Sequence, residues 1–255
     1  MVLTETDSYE ITTFRTESTY KDYRRPDSVT FVRSLLEDLK RRDFTMNAIA
    51  VDIEGQIYDP YDGIYDLSQG IIRAVGDPHE RFKEDALRMM RAVRFAAQLD
   101  FEIEEDTQNS IKENASLLQN IAVERIQVEF EKLLVSQWRF KGLKALIQSK
   151  LYLYCPELSN KKAALVSLAS DNKPFNQAAS AWAFLLYKID FYFPDDQFNP
   201  GSFLRKWKMS NKMVNDSIQI FEGLKNRVAS SEISPFEVFN LGYEFAVEVD
   251  YLLAN

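Results

Sequence analysis

Apolar and polar positions change rhythm near residue 77. Before it, short runs of β-branched and aromatic residues alternate with turn residues, which is the pattern of strands. YEITTFR at 9–15 and VTFV at 29–32 read as two strands, antiparallel across the segment between them. That segment, TESTYKDYRRPDS at 16–28, is polar, contains Pro26 and reads as a long loop. Loops of this length in compact domains are often functional. Asp43 stands where it would cap a short helix through Asn47 and Ala48. IAVDI, the Glu54-Gly55 turn and QIYD form a hairpin signature, and IIRAV closes the strand-rich part. After Asp77-Pro78 the pattern predicts no strand. Helical periodicity runs through 84–99, 104–117, 124–135 and 139–149, and 157–255 reads as helical with breaks at Pro174, Pro194, Pro200 and Pro235. The expected layout is α+β over residues 1–76 and all-helical thereafter.

Composition narrows the chemistry. The 255 residues are 45% hydrophobic, enough for a core, and 27% charged. A net charge of -8 argues against wholesale electrostatic binding of nucleic acid but leaves room for a local basic groove. One cysteine, Cys155, excludes an internal disulfide, and one histidine, His79, excludes a histidine-cluster metal site. No apolar run reaches membrane-spanning length and no signal peptide is recognisable, so a cytoplasmic protein without a membrane partner is expected.

EDALRMMRAVRFAAQ at 84–98 is the stretch that carries chemistry. Read as one largely apolar helix, it aligns Asp85, Arg88, Arg91 and Arg94 along a stripe. Buried charge is costly unless paired or bound. Two readings stand: an ion-pair network of Glu84 and Asp85 with Arg88, or a floor for a polyanionic ligand in which Asp85 and Arg88 read a flat polar edge. RRDFT at 41–45 also has two readings. It is either a capped surface helix with solvated arginines, or an anion site at a helix start in which Asp43 accepts from a ribose hydroxyl. His79 reads as a surface helix-start residue and Cys155 as a packed thiol. Lys206, Lys208 and Lys212, near Trp207, read as a solvated basic face, with RNA phosphate contact as the sharper alternative.

RRDFTMNAIA, DPYDGIYDL, RFKEDALRMMRAVRFAAQLDF and ERIQVEFEKLL follow one another in order, with YEITTFR before them. This succession resembles the motifs of the class II tRNA nucleotidyltransferases, the CCA-adding enzymes of bacterial type. The related poly(A) polymerases share the head. The resemblance implies a partial nucleotidyltransferase α/β head over 1–76, a helical neck that selects the nucleotide over 77–136, and a helical tRNA-binding body over 137–255. It implies transfer of C and A from CTP and ATP to the tRNA 3′ end, with Mg2+ and without a nucleic-acid template. By matching motif positions, Arg42 and Asp43 hold triphosphate and ribose, Asp85 and Arg88 select the base, and Arg91 and Arg94 contact the nucleotide. Glu10 matches a carboxylate accompanying the metal-binding aspartates, 16–28 the mobile loop that serves the switch from C to A addition, and Asp62, Gly63 and Asp66 the head–neck hinge. The oligomeric state stays open, with a homodimer as one option.

Hydrogen-bond chemistry supports the base-selecting pair. A carboxylate only accepts and a guanidinium only donates. Cytosine presents an amine beside the N3 acceptor, and adenine presents N6 beside N1 in the same order. Guanine and uracil reverse that order and would leave buried polar groups unpaired. One feature departs from the family. The sequence has no Asp-x-Asp pair and no Gly-Gly segment, and two-metal phosphoryl transfer needs carboxylates that bridge the ions. The expectation is therefore a fragment, lacking the Asp-x-Asp segment and part of the tail and inactive on its own, with no metal ligands assigned. The alternatives are a poly(A) polymerase or a non-catalytic nucleotide- or RNA-binding module.

Overall fold

The computed structural model describes residues 2–3, 7–9, 11–17, 20–21, 25–26, 29–171, 173–194, 198–229, 238–239 and 241–254. The first part is built of short antiparallel pairs. β1 (Val2–Leu3) pairs with β2 (Ser8–Tyr9), β3 (Arg15–Glu17) with β6 (Val29–Phe31), and β4 (Tyr20–Lys21) with β5 (Arg25–Pro26). The expected partnership of the first strands is present but shifted. Residues 11–14 lie outside any strand, and pairing starts at Arg15↔Phe31, next to a Val32 N–H to Phe14 carbonyl bond of 3.0 Å. The 16–28 segment is correspondingly less of a loop than predicted. Its first residues, Thr16 and Glu17, continue the ladder and β4–β5 forms a second pair, because Thr and Tyr suit paired backbone as well as turns.

α1 (Leu35–Lys40) follows, capped by Ser34. The predicted helix at Asp43–Ala48 is a single 3-10 turn, Thr45–Asn47, and its N-cap is Phe44, not Asp43. The Asp43 carboxylate is drawn instead to the Phe44 N–H and the Asn47 amide, both at 2.9 Å. The hairpin forms as expected, with β7 (Ala50–Val51) against β8 (Ile57–Tyr58). Asp52 accepts from the Glu54 and Gln56 N–H groups, and Gly55 supplies φ +83° at the turn. α2 (Gly63–Gln69) is tied down at its start by Asp59, which accepts from the N–H groups of Gly63 and Ile64 at 2.7 and 2.9 Å. A Cβ on Gly63 would stand 2.2 Å from the Thr45 carbonyl oxygen, so only glycine allows this approach. Asp66, buried, accepts from Thr45 Oγ1 at 2.7 Å and pairs with Arg73 at 3.1 Å.

Two expectations fail beyond residue 77. A strand does occur there: β10 (Glu102–Ile103) pairs in parallel with β9 (Ile71–Ile72), so residues 77–136 are not entirely helical. And 84–98 is not one helix. α3 (Pro78–Glu84) stops, Asp85 is extended at φ −139° and ψ 102°, and α4 (Leu87–Leu99) starts afresh. Asp85 thus leaves the stripe assigned to it. Its Oδ1 accepts from the Leu87 N–H at 3.1 Å, a restart bond for a chain whose apolar rhythm runs on unbroken.

The remainder is helical: α5 (Glu105–Asn114), α6 (Val123–Leu134), α7 (Arg139–Gln148), α8 (Lys162–Ser170), α9 (Ala178–Tyr192), α10 (Pro200–Lys206), α11 (Asn211–Ala229) and α12 (Tyr243–Leu253). Pro200 opens α10 at a position where a missing N–H costs nothing, rather than breaking a helix. Pro235 lies outside the described residues. α4 lies at the centre, packed on α6 and α7, and one continuous core runs from Phe44 to Leu252. Phe130, Trp182 and Trp207 interlock there, with ring centroids 4.8 to 5.4 Å apart. Trp207 is wholly buried, so it is core and not a stacking surface.

Candidate nucleotide site

The turn that ends α1 meets the start of α4. On the α1 side, the buried Asp38 carboxylate holds Arg41 at 2.6 Å and Arg42 at 2.9 Å, and takes the Arg15 N–H at 3.2 Å. On the other side, Arg81 donates to the Lys40 carbonyl at 3.1 Å and Arg88 to the Arg41 carbonyl at 2.9 Å. Arg91 grips Asp43 at 2.6 Å. Phe44, directly after Asp43, sets its ring edge-on to Phe95 at 5.8 Å, and the guanidiniums of Arg91 and Arg94 lie over Phe95 at 5.3 and 3.9 Å. RRDFT and α4 therefore form one cluster, joined by charge and by aromatic packing.

Within it the ion pairs are only partly those the sequence suggested: Glu84 pairs with Arg88 as expected, and Asp85 does not. Arg88, 7% exposed, pairs with Glu84 at 2.7 Å and also donates to the Arg81 carbonyl at 3.2 Å. Glu84 has a second partner, Arg81, at 2.6 Å. Asp85 pairs with Arg125 of α6 at 2.8 Å, not with Arg88. Glu84 and Asp85 thus have separate partners. Three donations by Arg88 to described groups account for three of its five N–H groups.

Arg94 is placed differently from its neighbours. It is 7% exposed and meets Glu129 of α6, itself 6% exposed. Burial depresses the Arg94 guanidinium, with the Glu129 charge acting against that. Its surroundings are those of a structural ion pair under the site floor. Arg42 is the most open of the set, its side chain 42% exposed. Glu10 lies outside the described residues.

Sequence reasoning missed Arg125 and Asp38. The pairing of Arg125 with Asp85 spans 40 residues, beyond any local periodicity. Asp38 had a readable signal: a carboxylate three and four residues before two arginines, the spacing that brings side chains together over a helical turn. Elsewhere, His79 sits in the first turn of α3 beside Glu113, at 3.0 Å, and Lys212 pairs with Asp216 at 3.2 Å.

The described residues do not fit a magnesium site. Among the described residues no group of three or more His, Cys, Asp and Glu side chains could hold an ion, and the sequence has no Asp-x-Asp pair. No described helix is long and apolar enough to cross a membrane.

The α+β opening and the helical remainder agree with the poly(A) polymerase-head class, whose family models match successive parts of the chain. Residues 1–73 match the poly A polymerase head domain, 100–162 the probable RNA- and SrmB-binding site of polymerase A, and 173–255 the tRNA nucleotidyltransferase domain 2. Within that class the chain is similar, over nearly its whole length, to the CCA-adding enzymes. It is 50% identical to the CCA-adding enzyme of Enterococcus faecalis over 254 residues, 99% of this chain and 61% of that protein. It is 49% identical to that of Limosilactobacillus reuteri over 243 residues, 95% of this chain and 59% of that one. The crystal structure of the Bacillus stearothermophilus CCA-adding enzyme in complex with CTP superposes with a TM-score of 0.87 at 40% identity, covering 96% of this chain and 59% of that chain. The chain thus spans about three-fifths of the length of the curated relatives it matches.

Proposed function

We propose that this chain is the nucleotide-selecting portion of a CCA-adding tRNA nucleotidyltransferase, which takes CTP and ATP and the tRNA 3′ end as substrates in the cytoplasm. The boundaries 1–76, 77–136 and 137–255 are the proposed head, neck and body. The supporting observation is the joint between residues 41–43 and α4, where Arg88 and Arg91 reach the backbone and side chain of the RRDFT segment. In this reading Arg42, open to solvent, meets the triphosphate, and Asp43, fixed by Arg91, faces the ribose. Asp85 accepts from the exocyclic amine of C or A, and Arg88 donates to the ring nitrogen beside it. Arg91 steadies Asp43 as well as the nucleotide, and Arg94 supports the floor through Glu129. The low exposure of the cluster supplies selectivity, because a mispaired base edge there is not rescued by water.

Equilibrium binding of the four nucleoside triphosphates to the 255-residue chain tests this. CTP and ATP should bind at least about tenfold more tightly than UTP and GTP, since a good bidentate contact discriminates by about 1–3 kcal/mol. Equal binding of all four would sink the base-reading assignment. A second reading, a non-catalytic nucleotide- or RNA-binding module, is favoured by the missing Asp-x-Asp pair. It shares the binding result. Both readings predict no incorporation of labelled CTP into tRNA lacking its CCA end by this chain alone; joined to a segment that carries an Asp-x-Asp pair, only the first predicts incorporation. Robust metal-dependent incorporation by this chain would remove the second reading and show that catalytic carboxylates lie elsewhere in it.

A further inference from the structure

The base-reading pair has a problem of its own: an aspartate and an arginine three residues apart are natural partners for each other. If Asp85 and Arg88 closed onto one another, the acceptor would satisfy the donor and little would remain for a base. The structure holds them to other partners. Arg88 is engaged by Glu84 at 2.7 Å and by the Arg81 and Arg41 carbonyls at 3.2 and 2.9 Å. Asp85 is engaged from a different element. Arg125 Nη2 donates to its Oδ2 at 2.8 Å, Nη1 lies 3.4 Å from Oδ1, and the Leu87 N–H reaches Oδ1 at 3.1 Å.

We infer that Arg125 is a positioning residue for base selection: it holds the Asp85 carboxylate in a fixed plane and away from Arg88, so that acceptor and donor stay separate and side by side. The inference rests on the base-reading role of Asp85 and Arg88 proposed above. Three observations support it. First, Asp85 has extended backbone between two helices, and the bond from its own segment, the Leu87 N–H, reaches only one carboxylate oxygen. Second, the constraint comes from α6, which lies 40 residues away and also supplies Glu129 to Arg94. Arg125 and Glu129 are four residues apart, so one face of α6 secures both a carboxylate and a guanidinium of the 85–94 segment. Third, the contact uses the two-pronged geometry peculiar to arginine. A guanidinium fork sets the plane of a carboxylate, whereas an ammonium is a point charge and leaves it free to turn. The Asp85 side chain is 18% exposed and that of Arg125 30%, so the pair is neither sealed in the core nor loose on the surface. A carboxylate has about four lone-pair directions, and these donors do not occupy all of them.

The test is equilibrium binding of CTP, UTP and inorganic tripolyphosphate to the 255-residue chain and to Arg125→Ala and Arg125→Lys, with thermal melting of each. For the parent, CTP should exceed UTP by at least about tenfold. Arg125→Ala should lose most of that ratio while tripolyphosphate affinity stays within about twofold, and Arg125→Lys should fall between. A merely structural role would lower the melting temperature and leave the ratio intact. If the parent shows no preference for CTP over UTP, the base-reading proposal fails and this inference fails with it. If the parent discriminates and folded Arg125→Ala discriminates equally, the inference alone is overturned. Should Arg125→Ala not fold, Arg125→Lys decides: a reduced ratio supports the role, an unchanged one refutes it.

Discussion

A methyl group on Gly142 would stand 2.5 Å from the Val93 carbonyl oxygen and 2.8 Å from Ala97 Cβ. α7 therefore crosses α4 as closely as backbone atoms allow, and the Trp138 N–H joins them by donating to the Ala97 carbonyl at 3.0 Å. The same α4 carries Arg88, Arg91 and Arg94. Its position is set from behind by a residue with no side chain.

Gly142→Ala should destabilise the fold. Overpacking a tight core costs about 1–3 kcal/mol, and alanine returns up to about 1 kcal/mol of helix propensity. A net loss of about 1–2 kcal/mol is expected in urea titration. A variant as stable as the parent would mean that the two helices separate freely.

Arg88→Ala should change selectivity more than stability. Glu84 keeps Arg81 at 2.6 Å when Arg88 is removed, so no carboxylate is stranded. The stability loss should stay near 1–3 kcal/mol, the range for lost packing and hydrogen bonds. Preference for CTP over UTP should fall about tenfold or more. A variant that melts much earlier yet keeps its preference while folded would leave Arg88 as an ion-pair residue only.

Acid should weaken the α1 turn. Burial alone would raise the Asp38 carboxyl, but hydrogen bonds from Arg41, Arg42 and the Arg15 N–H outweigh it and hold the group below its ordinary 3.8. A lowered folded value means that the unfolded chain binds the proton more readily, so this contribution is complete above the ordinary carboxylate range and is lost as pH falls below about 4. Asp38→Asn should show a shallower stability loss than the parent between about pH 5 and pH 2. Parallel profiles would exclude Asp38 as a source of acid sensitivity.

Cys155 should be silent to thiol reagents in the folded protein. It is buried, and burial pushes its thiol up to about 12, far from the thiolate needed for attack. Labelling at about pH 8 should proceed at the rate of unfolding and accelerate in denaturant. Rapid labelling under native conditions would place the thiol at an accessible surface.

The order of motifs was legible, because each is a local sequence with its own chemistry. The 50–58 hairpin was legible for the same reason: Asp52, Glu54 and Gly55 specify their own turn. The break at Asp85 was not, because apolar spacing carries straight through it. The available signal was an aspartate just ahead of ALRMM, the usual place for a residue that starts a helix. β10 is two residues long and owes its existence to a partner 31 positions earlier, which no local pattern records. The cluster of arginines was visible, and so was its local pair, Glu84 with Arg88. The longer links were not: Asp85 with Arg125, and Arg88 with the Arg41 carbonyl, were decided by how α6 and the α1 turn pack on α4.

That short strand has a consequence for recombination among related proteins. Ile71–Ile72 and Glu102–Ile103 are hydrogen-bonded side by side, and all of α3 and α4 lies in the excursion between them. A chimera joined at residue 76 would import one half of this clasp and keep the other from its host. Exchange that carries the segment through Ile103 moves both halves together, so the natural unit of inheritance for the opening region includes α4, the helix proposed above to read the nucleotide.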